Sequence, residues 1–425
     1  MRPDSTTPQA NLLWYEITPR VIPLGLIDSV RVTIGVTGIP SEVRLSLVTG
    51  SVPLQRQANG TWTGRVAASN LVFNYRTGDL RNTSSFIDVV TETLTEQTAL
   101  TVNVKDNGIL NVTPQTLSQN VQAASHVVNI RYDDLYLGDE VPPAVLQTFY
   151  QFFGDEYDFI NVLEQVQSEK DPFYFATRND VEGLGLQIFE RANTYGSDAE
   201  LDGIMHFPND ADFDPAETVV LHELSHRWMN FSNLQNVRTL RPHWPLSTLA
   251  LGINGFANPV TGEREIFRWE ITPQPNQTYT VRALPEPRAY NDFELYLLGL
   301  LPPDSVRPHY VFLNQNQRAE LRPGGTLVGP TDTITVGEWV ARDGVRSPAY
   351  SQAQRTFRMA TIVLSRNGLL SRDELSFYNA VAMRAESETE LPAIRATTRI
   401  TTWPFFLATG GRARLISQLR LTQPS

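Results

Sequence analysis

Short runs in which hydrophobic and polar residues alternate fill the first quarter of the chain. Residues 30–36 and 42–48 alternate with a period of two, and residues 99–104 close the region with another such run. This pattern predicts β-strands with one buried face, and several short strands in succession favour an immunoglobulin-like β-sandwich. We therefore expect an all-β domain over residues 15–106, after a flexible N-terminus over residues 1–14.

The pattern changes after residues 105–108, which we interpret as a linker. Strand-like runs at 127–132 and 159–165 enclose a helix signal at 142–153 that begins with prolines. Residues 232–290 are poor in helix signal and predict long loops, whereas Ser371 is placed to cap a helix that runs to residue 384. These signals predict a mixed α+β domain over residues 107–425, with an upper part at about 120–231 and a lower part at about 232–425.

The clearest helix signal lies at residues 215–231. Asp214 is placed as an N-cap, Pro215 stands at the first helical position, and Glu217 follows the cap by three residues. Leu224 and Trp228 supply part of the apolar side. The sequence therefore predicts a capped helix that is held by packing.

Within that helix the chain reads His222-Glu223-Leu224-Ser225-His226, the pattern H-E-x-x-H. Residues four apart project from one face of a helix, so the two imidazoles can bind one metal ion at about 2.0–2.1 Å. Glu223 lies one step round the helix, where it can reach a metal-bound water. A solvated helix face is the alternative, but with six histidines in 425 residues a chance pairing around a glutamate is rare.

The motif and its capped helix resemble the active-site helix of the zincin metallopeptidases, over about residues 200–300. The resemblance implies a zincin-like α+β catalytic domain, one catalytic Zn²⁺, and an edge strand before the helix that pairs with extended substrate. Residues 201–207 occupy that position, and an ordinary core strand is the alternative. Metzincins carry a glycine and a histidine where this chain has Met229 and Ser232, and peptide deformylases need a cysteine, which the chain lacks.

A gluzincin-like site, with a carboxylate ligand from a later helix, remains. Residues 290–300 form a short apolar helix signal that Gly299 ends. Glu294 is the expected third ligand, because a carboxylate in an apolar run is costly to bury unless it is paired or bound to metal. Asp292 and His243 are the alternatives, and the N-E-x-x-S-D signature of many gluzincins is absent.

Such a site predicts peptide hydrolysis. Two imidazoles and one carboxylate leave a position for a water whose pKa zinc lowers to about 7, and Glu223 would serve as the general base. The oxyanion needs a hydrogen-bond donor, for which Tyr296, Tyr290, His243 and Arg288 are the candidates. We expect catalytic roles for Glu223, His243 and Tyr296.

Composition narrows the possible partners and the possible location of the protein. The net charge is −11, which argues against nucleic acid as a partner, and the absence of cysteine excludes disulfides. No run approaches the roughly 18 apolar residues of a membrane span, and the N-terminal residues contain no signal-peptide core. We expect a secreted or extracellular bacterial zinc metalloendopeptidase that acts on protein or peptide substrates, with its oligomeric state open. The alternatives are a cytoplasmic location and an inactive zincin-like protein that binds or adheres through its β domain.

Overall fold

The computed structural model describes residues 10–73, 75–76, 78, 80–134, 140–238, 241–257, 264–265, 269–283, 289–394 and 401–422. The fold is mixed α+β, as the sequence predicts, with mostly strands near the N-terminus and a mixed sheet after them. None of the described helices is long and apolar enough to cross a membrane.

The first nine strands form what we call the N-terminal sandwich. Its two sheets have the orders β1-β3-β7-β6 and β2-β9-β8-β4-β5, and they enclose a core of their own that includes Val32, Val43 and Ile87. The first strand begins at Leu12, within the segment expected to be flexible. The sandwich also contains a short helix α1, Ala68–Leu71, and its strands are β1 Leu12–Thr18, β2 Val21–Pro23, β3 Ser29–Val36, β4 Glu42–Leu47, β5 Gly50–Pro53, β6 Gln55–Arg56, β7 Trp62–Ala67, β8 Arg81–Val90 and β9 Thr95–Lys105.

The rest of the chain carries twenty further strands and six α-helices among the described residues. The strands are β10 Gln115–Ser118, β11 Val121–Ala123, β12 Val128–Arg131, β13 Phe159–Glu164, β14 Val166–Gln167, β15 Phe173–Ala176, β16 Arg178–Asn179, β17 Phe189–Glu190, β18 Gly203–Phe207, β19 Phe256–Ala257, β20 Arg264–Glu265, β21 Trp269–Gln274, β22 Thr278–Ala283, β23 His309–Phe312, β24 Thr326–Val328, β25 Thr331–Ile334, β26 Thr356–Ser365, β27 Leu391–Pro392, β28 Thr401–Thr402 and β29 Arg414–Ile416. The helices are α2 Pro143–Phe149, α3 Thr218–Ser225, α4 Asp292–Leu297, α5 Val336–Asp343, α6 Arg372–Met383 and α7 Phe405–Ala408.

The central sheet has the order β10-β11-β12-β26-β13-β18-β15, with β29 beside β26. Strands β12, β26, β13 and β18 are parallel neighbours, and β15 pairs antiparallel with β18 at the edge. Because successive side chains of a strand point to opposite faces, Phe159 and Leu163 of β13 enter one core, while Ile160 and Val162 enter another. The first of these cores also contains the apolar residues of α3, α4 and α6.

Strand β14 joins the two parts of the molecule. It pairs antiparallel with β1 of the N-terminal sandwich, so that Tyr15 lies opposite Gln167 and Glu16 opposite Val166. The residues expected to form a linker are also ordered, because the Asp106 carboxylate accepts hydrogen bonds from Tyr75 Oη at 2.8 Å and from Gly108 N at 2.8 Å. The sandwich is therefore built into the larger sheet-and-helix region.

The H-E-x-x-H helix is shorter than the sequence predicts. Asp214 does not cap it: Asp214 Oδ1 accepts from Ala216 N at 3.0 Å, and both carboxylate oxygens pair with Arg384 at 2.9 Å. Helix α3 begins at Thr218, and after Ser225 the backbone N–H groups of His226 and Arg227 bond three residues back. His222 is thus inside the helix, while His226 is its C-cap instead of a mid-helix residue.

Three other expectations change. The strand at 201–207 is the interior strand β18, and β15 takes the edge. The region 232–290 holds a hairpin of β21 and β22 where we expected loops. The helix expected at 290–300 is confined to α4, which ends at Leu297 with Leu298 as its C-cap. The helix capped by Ser371 is confirmed, with Ser371 Oγ accepting from Glu374 N.

Candidate metal centre

Three histidines meet beside α3. The side-chain nitrogens of His222, His226 and His243 that could each bind a metal all lie within 4.8 Å of one another. The Nε2 atoms of His222 and His243 are 3.1 Å apart, and the ring centroids of His222 and His226 are 4.7 Å apart. We call these residues the histidine cluster.

Hydrogen bonds from the turn after α3 fix the loop that carries His243. Asn230 N donates to Pro242 O at 2.8 Å, and Asn230 Nδ2 donates to His243 O at 3.3 Å. Trp244 N donates to Gly255 O at 3.1 Å, which ties the same loop to the segment that follows. These bonds bring His243 to the pair on α3, although it lies 17 residues after His226.

The outward nitrogens of the two helix histidines are orientated by backbone carbonyls. His222 Nδ1 lies 3.1 Å from Ile253 O, and His226 Nδ1 lies 3.4 Å from Met229 O. With its hydrogen on Nδ1, each ring donates to a carbonyl and turns the lone pair of Nε2 towards the cluster, as metal-binding imidazoles do.

This geometry fits one tetrahedral cation. Nitrogens at about 2.0–2.1 Å from a tetrahedral zinc ion lie about 3.3 Å from each other, and the Nε2 atoms of His222 and His243 are 3.1 Å apart. At this distance the two rings can share a hydrogen bond, one donating and the other accepting, or both can turn a lone pair towards one cation. The three residues present therefore suit zinc, for which they would offer three nitrogen ligands without a carboxylate.

Glu223 lies between the two helix histidines in sequence, and it is buried like His222. Next to the cluster, Arg227 is also buried and forms a network with carboxylates near β16 and β18. Its guanidinium contacts Asp180 Oδ1 at 2.6 Å and Asp202 Oδ2 at 3.0 Å. The end of α3 is thereby tied to the strands on the edge side of the sheet.

The structure does not bring Glu294, the expected third ligand, into the histidine cluster. Glu294 is fully buried, and its carboxylate accepts four N–H hydrogen bonds at 3.0–3.2 Å, from Trp244 Nε1, Ile253 N, Asn254 N and Asn291 N. Burial raises the pKa of Glu294 to about 7, although these donors act to lower it. Hydrogen bonds thus offset part of the cost of burying this carboxylate. His243 takes the place beside His222 and His226.

Glu294 still acts on the cluster through the loop it holds. Glu294 accepts a hydrogen bond from Ile253 N, and the Ile253 carbonyl in turn faces His222 Nδ1. Glu294 also accepts from Trp244, the residue that directly follows His243. The backbone at Gly252 passes so close that a Cβ there would meet Glu294 Oε2 at 2.0 Å. Only glycine, which has no Cβ, fits at this position of the loop.

The other sequence candidates lie elsewhere. Asp292 accepts from His309 Nε2 at 2.9 Å and from Arg307 N at 2.9 Å. Although burial would raise the pKa of Asp292, these partners hold it well below its usual range.

The two tyrosines are also engaged away from the histidines. Tyr290 Oη donates to Leu221 O at 2.7 Å. Tyr296 packs its ring against Phe293 and interacts with Arg346, and neither contact involves the histidine cluster. Arg288 lies outside the described residues.

Sequence reasoning missed the segment 252–254, which fixes the ring of His222. Gly252 carries no chemical signal of its own, because its role depends on a carboxylate 42 residues later in the chain. The sequence leaves His243 open as a metal ligand or a hydrogen-bond donor. Its place beside His222 and His226 depends on the folded path of its loop.

Comparisons with known proteins assign no family. No family model matches the chain, and no curated protein matches it. A chain from a structure concerned with host cell surface retention of a 1.5-MDa bacterial ice-binding adhesin matches with 18% identity and a TM-score of 0.19. That match covers 31% of this chain and 46% of the other, and at this score it carries no argument about fold or function.

Proposed function

We propose that this chain is a zinc-dependent metalloendopeptidase in which His222, His226 and His243 hold the metal and Glu223 is the general base. The observation that supports the proposal is the convergence of a third histidine on the H-E-x-x-H pair. A structural histidine pair on a helix needs no third imidazole, whereas three nitrogen ligands with one open position are a common catalytic zinc site.

The roles of the side chains follow from their chemistry. Zinc at this site would polarise a peptide carbonyl and lower the pKa of a water to about 7. The Glu223 carboxylate would accept the proton of that water and pass it to the leaving amine. The carbonyl groups of Ile253 and Met229 keep the two helix imidazoles turned towards the site throughout.

The order of strands supports a zincin-like catalytic domain. Strand β18 leads into α3, and β15 is the antiparallel edge strand beside it, with all four residues half-buried. An extended peptide can add to such an edge through main-chain hydrogen bonds. We propose β15, in place of residues 201–207, as the strand that pairs with a protein or peptide substrate.

The strand order of the N-terminal sandwich supports the immunoglobulin-like assignment. One sheet is β1-β3-β7-β6, and in the other β2 runs parallel to β9 beside β8 and β4. This division corresponds to the ABED and CFG sheets of immunoglobulin domains. We also propose a secreted or extracellular location, and neither nucleic acid nor membrane insertion enters the proposed function.

Metal analysis tests the site. We expect about one zinc per chain in the purified protein, and its loss in His226→Ala and in His243→Ala. His309→Ala is the matched control, because His309 is also buried but pairs with Asp292. Retention of zinc by His243→Ala would show that the third ligand is another residue, and no zinc in the wild type after reconstitution would overturn the site.

Peptide cleavage tests the reaction. Wild type and Glu223→Gln are incubated with a mixed peptide library, and the products are read by mass spectrometry. We expect cleavage by the wild type and at least a 100-fold loss in Glu223→Gln with zinc retained, because the amide cannot accept the proton. Equal cleavage by both proteins would overturn the role of Glu223, and a zinc-loaded wild type that cleaves nothing would favour the non-catalytic alternative.

A further inference from the structure

Arginines of the N-terminal sandwich hold the turn that leads into α3. Residues 210–213, which we call the pre-helix turn, follow β18 and precede the helix of the histidine cluster. Arg20 is fully buried and forms a two-point ion pair with Asp210, in which Arg20 Nε lies 3.0 Å from Oδ2 and Arg20 Nη2 contacts Oδ1. Asn103 of β9 donates to the same carboxylate at 2.7 Å.

Arg81 binds the backbone of the same turn. Its Nη1 donates to Ala211 O at 3.0 Å, and its Nη2 donates to Asp210 O at 2.6 Å and to Phe213 O at 2.7 Å. Its Nε donates to Asn103 Oδ1 at 3.1 Å, which fixes the guanidinium on the sandwich side. A planar guanidinium has donors in a rigid fork, so three carbonyls on one fork define the path of the turn.

The larger domain holds Asp210 from the other side. Tyr378 Oη of α6 donates to Asp210 Oδ2 at 2.6 Å, and Asp210 N donates to Gln167 Oε1 of β14 at 2.7 Å. Water is excluded here, since Arg20, Arg81 and Asp210 are at most 2% exposed. Removing one partner of such a buried pair leaves an uncompensated charge, so the sandwich and the turn depend on each other.

The chain between the turn and α3 is equally fixed. Phe213 lies in the main core with Val21 of the sandwich, and Asp214 is paired with Arg384. His243 is held through a separate loop that α4 anchors. The distance between His243 and the other two histidines therefore depends on two supports, the pre-helix turn before α3 and the loop that α4 anchors.

We propose that Arg20 and Arg81 are positioning residues of the metal centre, and that the N-terminal sandwich is part of the catalytic unit because it fixes the start of α3. The inference rests on the proposed zinc site. It assigns the sandwich a role in shaping that site, in contrast to a separate binding or adhesion role.

The test compares Arg81→Met with Lys105→Met in the full chain. Arg81→Met keeps much of the apolar stem but removes the fork. Lys105→Met removes another inter-domain ion pair, Lys105 with Asp373 at 3.1 Å, which does not touch the pre-helix turn. Zinc affinity is measured by competition with a chromogenic chelator at a temperature where both variants are folded, and amide hydrogen exchange of residues 218–226 is measured in the metal-free proteins.

We expect Arg81→Met to weaken zinc binding by about 10-fold or more and to speed exchange in α3, because three buried carbonyls of the pre-helix turn lose their donor and the start of the helix is held less firmly. Lys105→Met should lower Tm alone. If Arg81→Met does not fold, Arg81→Lys keeps the charge without the fork and is measured in the same way. A lowered Tm with wild-type zinc affinity and wild-type exchange would overturn the positioning role alone, whereas a wild type without zinc would overturn the proposed function and this role with it.

Discussion

At the scale of single residues, Glu294 shows how a buried carboxylate can support the histidine cluster without belonging to it. Its two oxygens accept four N–H bonds, two of them from the loop residues Ile253 and Asn254. Through the Ile253 carbonyl, the same loop orientates His222. Groups that hydrogen-bond to a metal-binding imidazole affect metal affinity strongly, and Glu294 holds such a group, the Ile253 carbonyl, in place.

Replacing Glu294 by glutamine tests this link. The amide presents one acceptor oxygen, so two of the four donors would face its NH₂ group. We expect zinc affinity to fall by about 10–100-fold and the unfolding free energy to fall by about 2 kcal/mol. Zinc binding is measured by chelator competition, and stability by urea denaturation.

Glu338→Gln is the matched control, because Glu338 also closes a capping box, on α5 with Thr335, and lies at an exposed site. It should leave zinc affinity unchanged. Equal affinities in the two variants would contradict the link between Glu294 and the histidine cluster.

The same residue marks what the sequence can and cannot show. The spacing of His222 and His226 predicts that their side chains share a face, because the geometry of one helical turn is local. The sequence also indicates that a carboxylate at 294 needs partners. It cannot show which partners, since Trp244 and Ile253 reach Glu294 only through the folded path of a loop.

At the scale of elements, a buried carboxylate links the starts of two parallel strands of the central sheet, β13 and β26. Asp158, just before β13, accepts from Gln354 Nε2 at 2.7 Å and from Arg358 N of β26 at 2.6 Å. Burial and the nearby Asp202 raise the pKa of Asp158 to about 6, against the hydrogen bonds from Arg358 and Gln354. The folded protein therefore binds a proton here more tightly than the unfolded chain does.

This difference predicts a pH-dependent stability. Between the ordinary value of 3.8 and about 6, the folded state holds a proton that the unfolded state has released, so the contribution of Asp158 falls as pH rises through this window. The unfolding free energy of the wild type, relative to Asp158→Asn, should fall by up to about 3 kcal/mol from pH 4 to pH 7. Urea denaturation at both pH values measures it, and parallel profiles of the two proteins would contradict the assignment.

Element boundaries show why local signals fall short. The sequence places a cap at Asp214, but the structure uses that side chain to pair with Arg384, a residue 170 positions later. The cap at Ser371 is predicted correctly because its partner Glu374 is three residues away. Local bonds can be predicted from sequence, and competition from distant partners cannot.

At the scale of the whole molecule, the two parts are joined by a strand pair, a buried ion pair and a shared core. Strand β14 adds to β1, Arg20 pairs with Asp210, and Val21 lies in the main core. The sequence alone predicts a linker between the two parts, because a strand pair or an ion pair between distant residues leaves no pattern in the local sequence. The described sheets fall into those of the N-terminal sandwich, joined by β14, and those of the later residues.

These connections predict one cooperative unfolding transition. Differential scanning calorimetry should give a single peak for the zinc-loaded protein, and removal of zinc with a chelator should shift the whole peak to lower temperature, because zinc at the proposed site would bind only the folded state. The urea-induced loss of far-UV and near-UV circular dichroism should coincide. Two separate peaks, with only one sensitive to the chelator, would contradict the joined architecture.

The pairing of β14 with β1 also limits how the protein can be divided. If the chain were cut after the sandwich, β1 would keep β3 on one side and lose β14 on the other. The exposed backbone N–H and C=O groups around Tyr15 and Glu16 would then be a template for another copy. An excised sandwich should therefore self-associate, and recombination that moved it to another protein would have to supply a strand in place of β14.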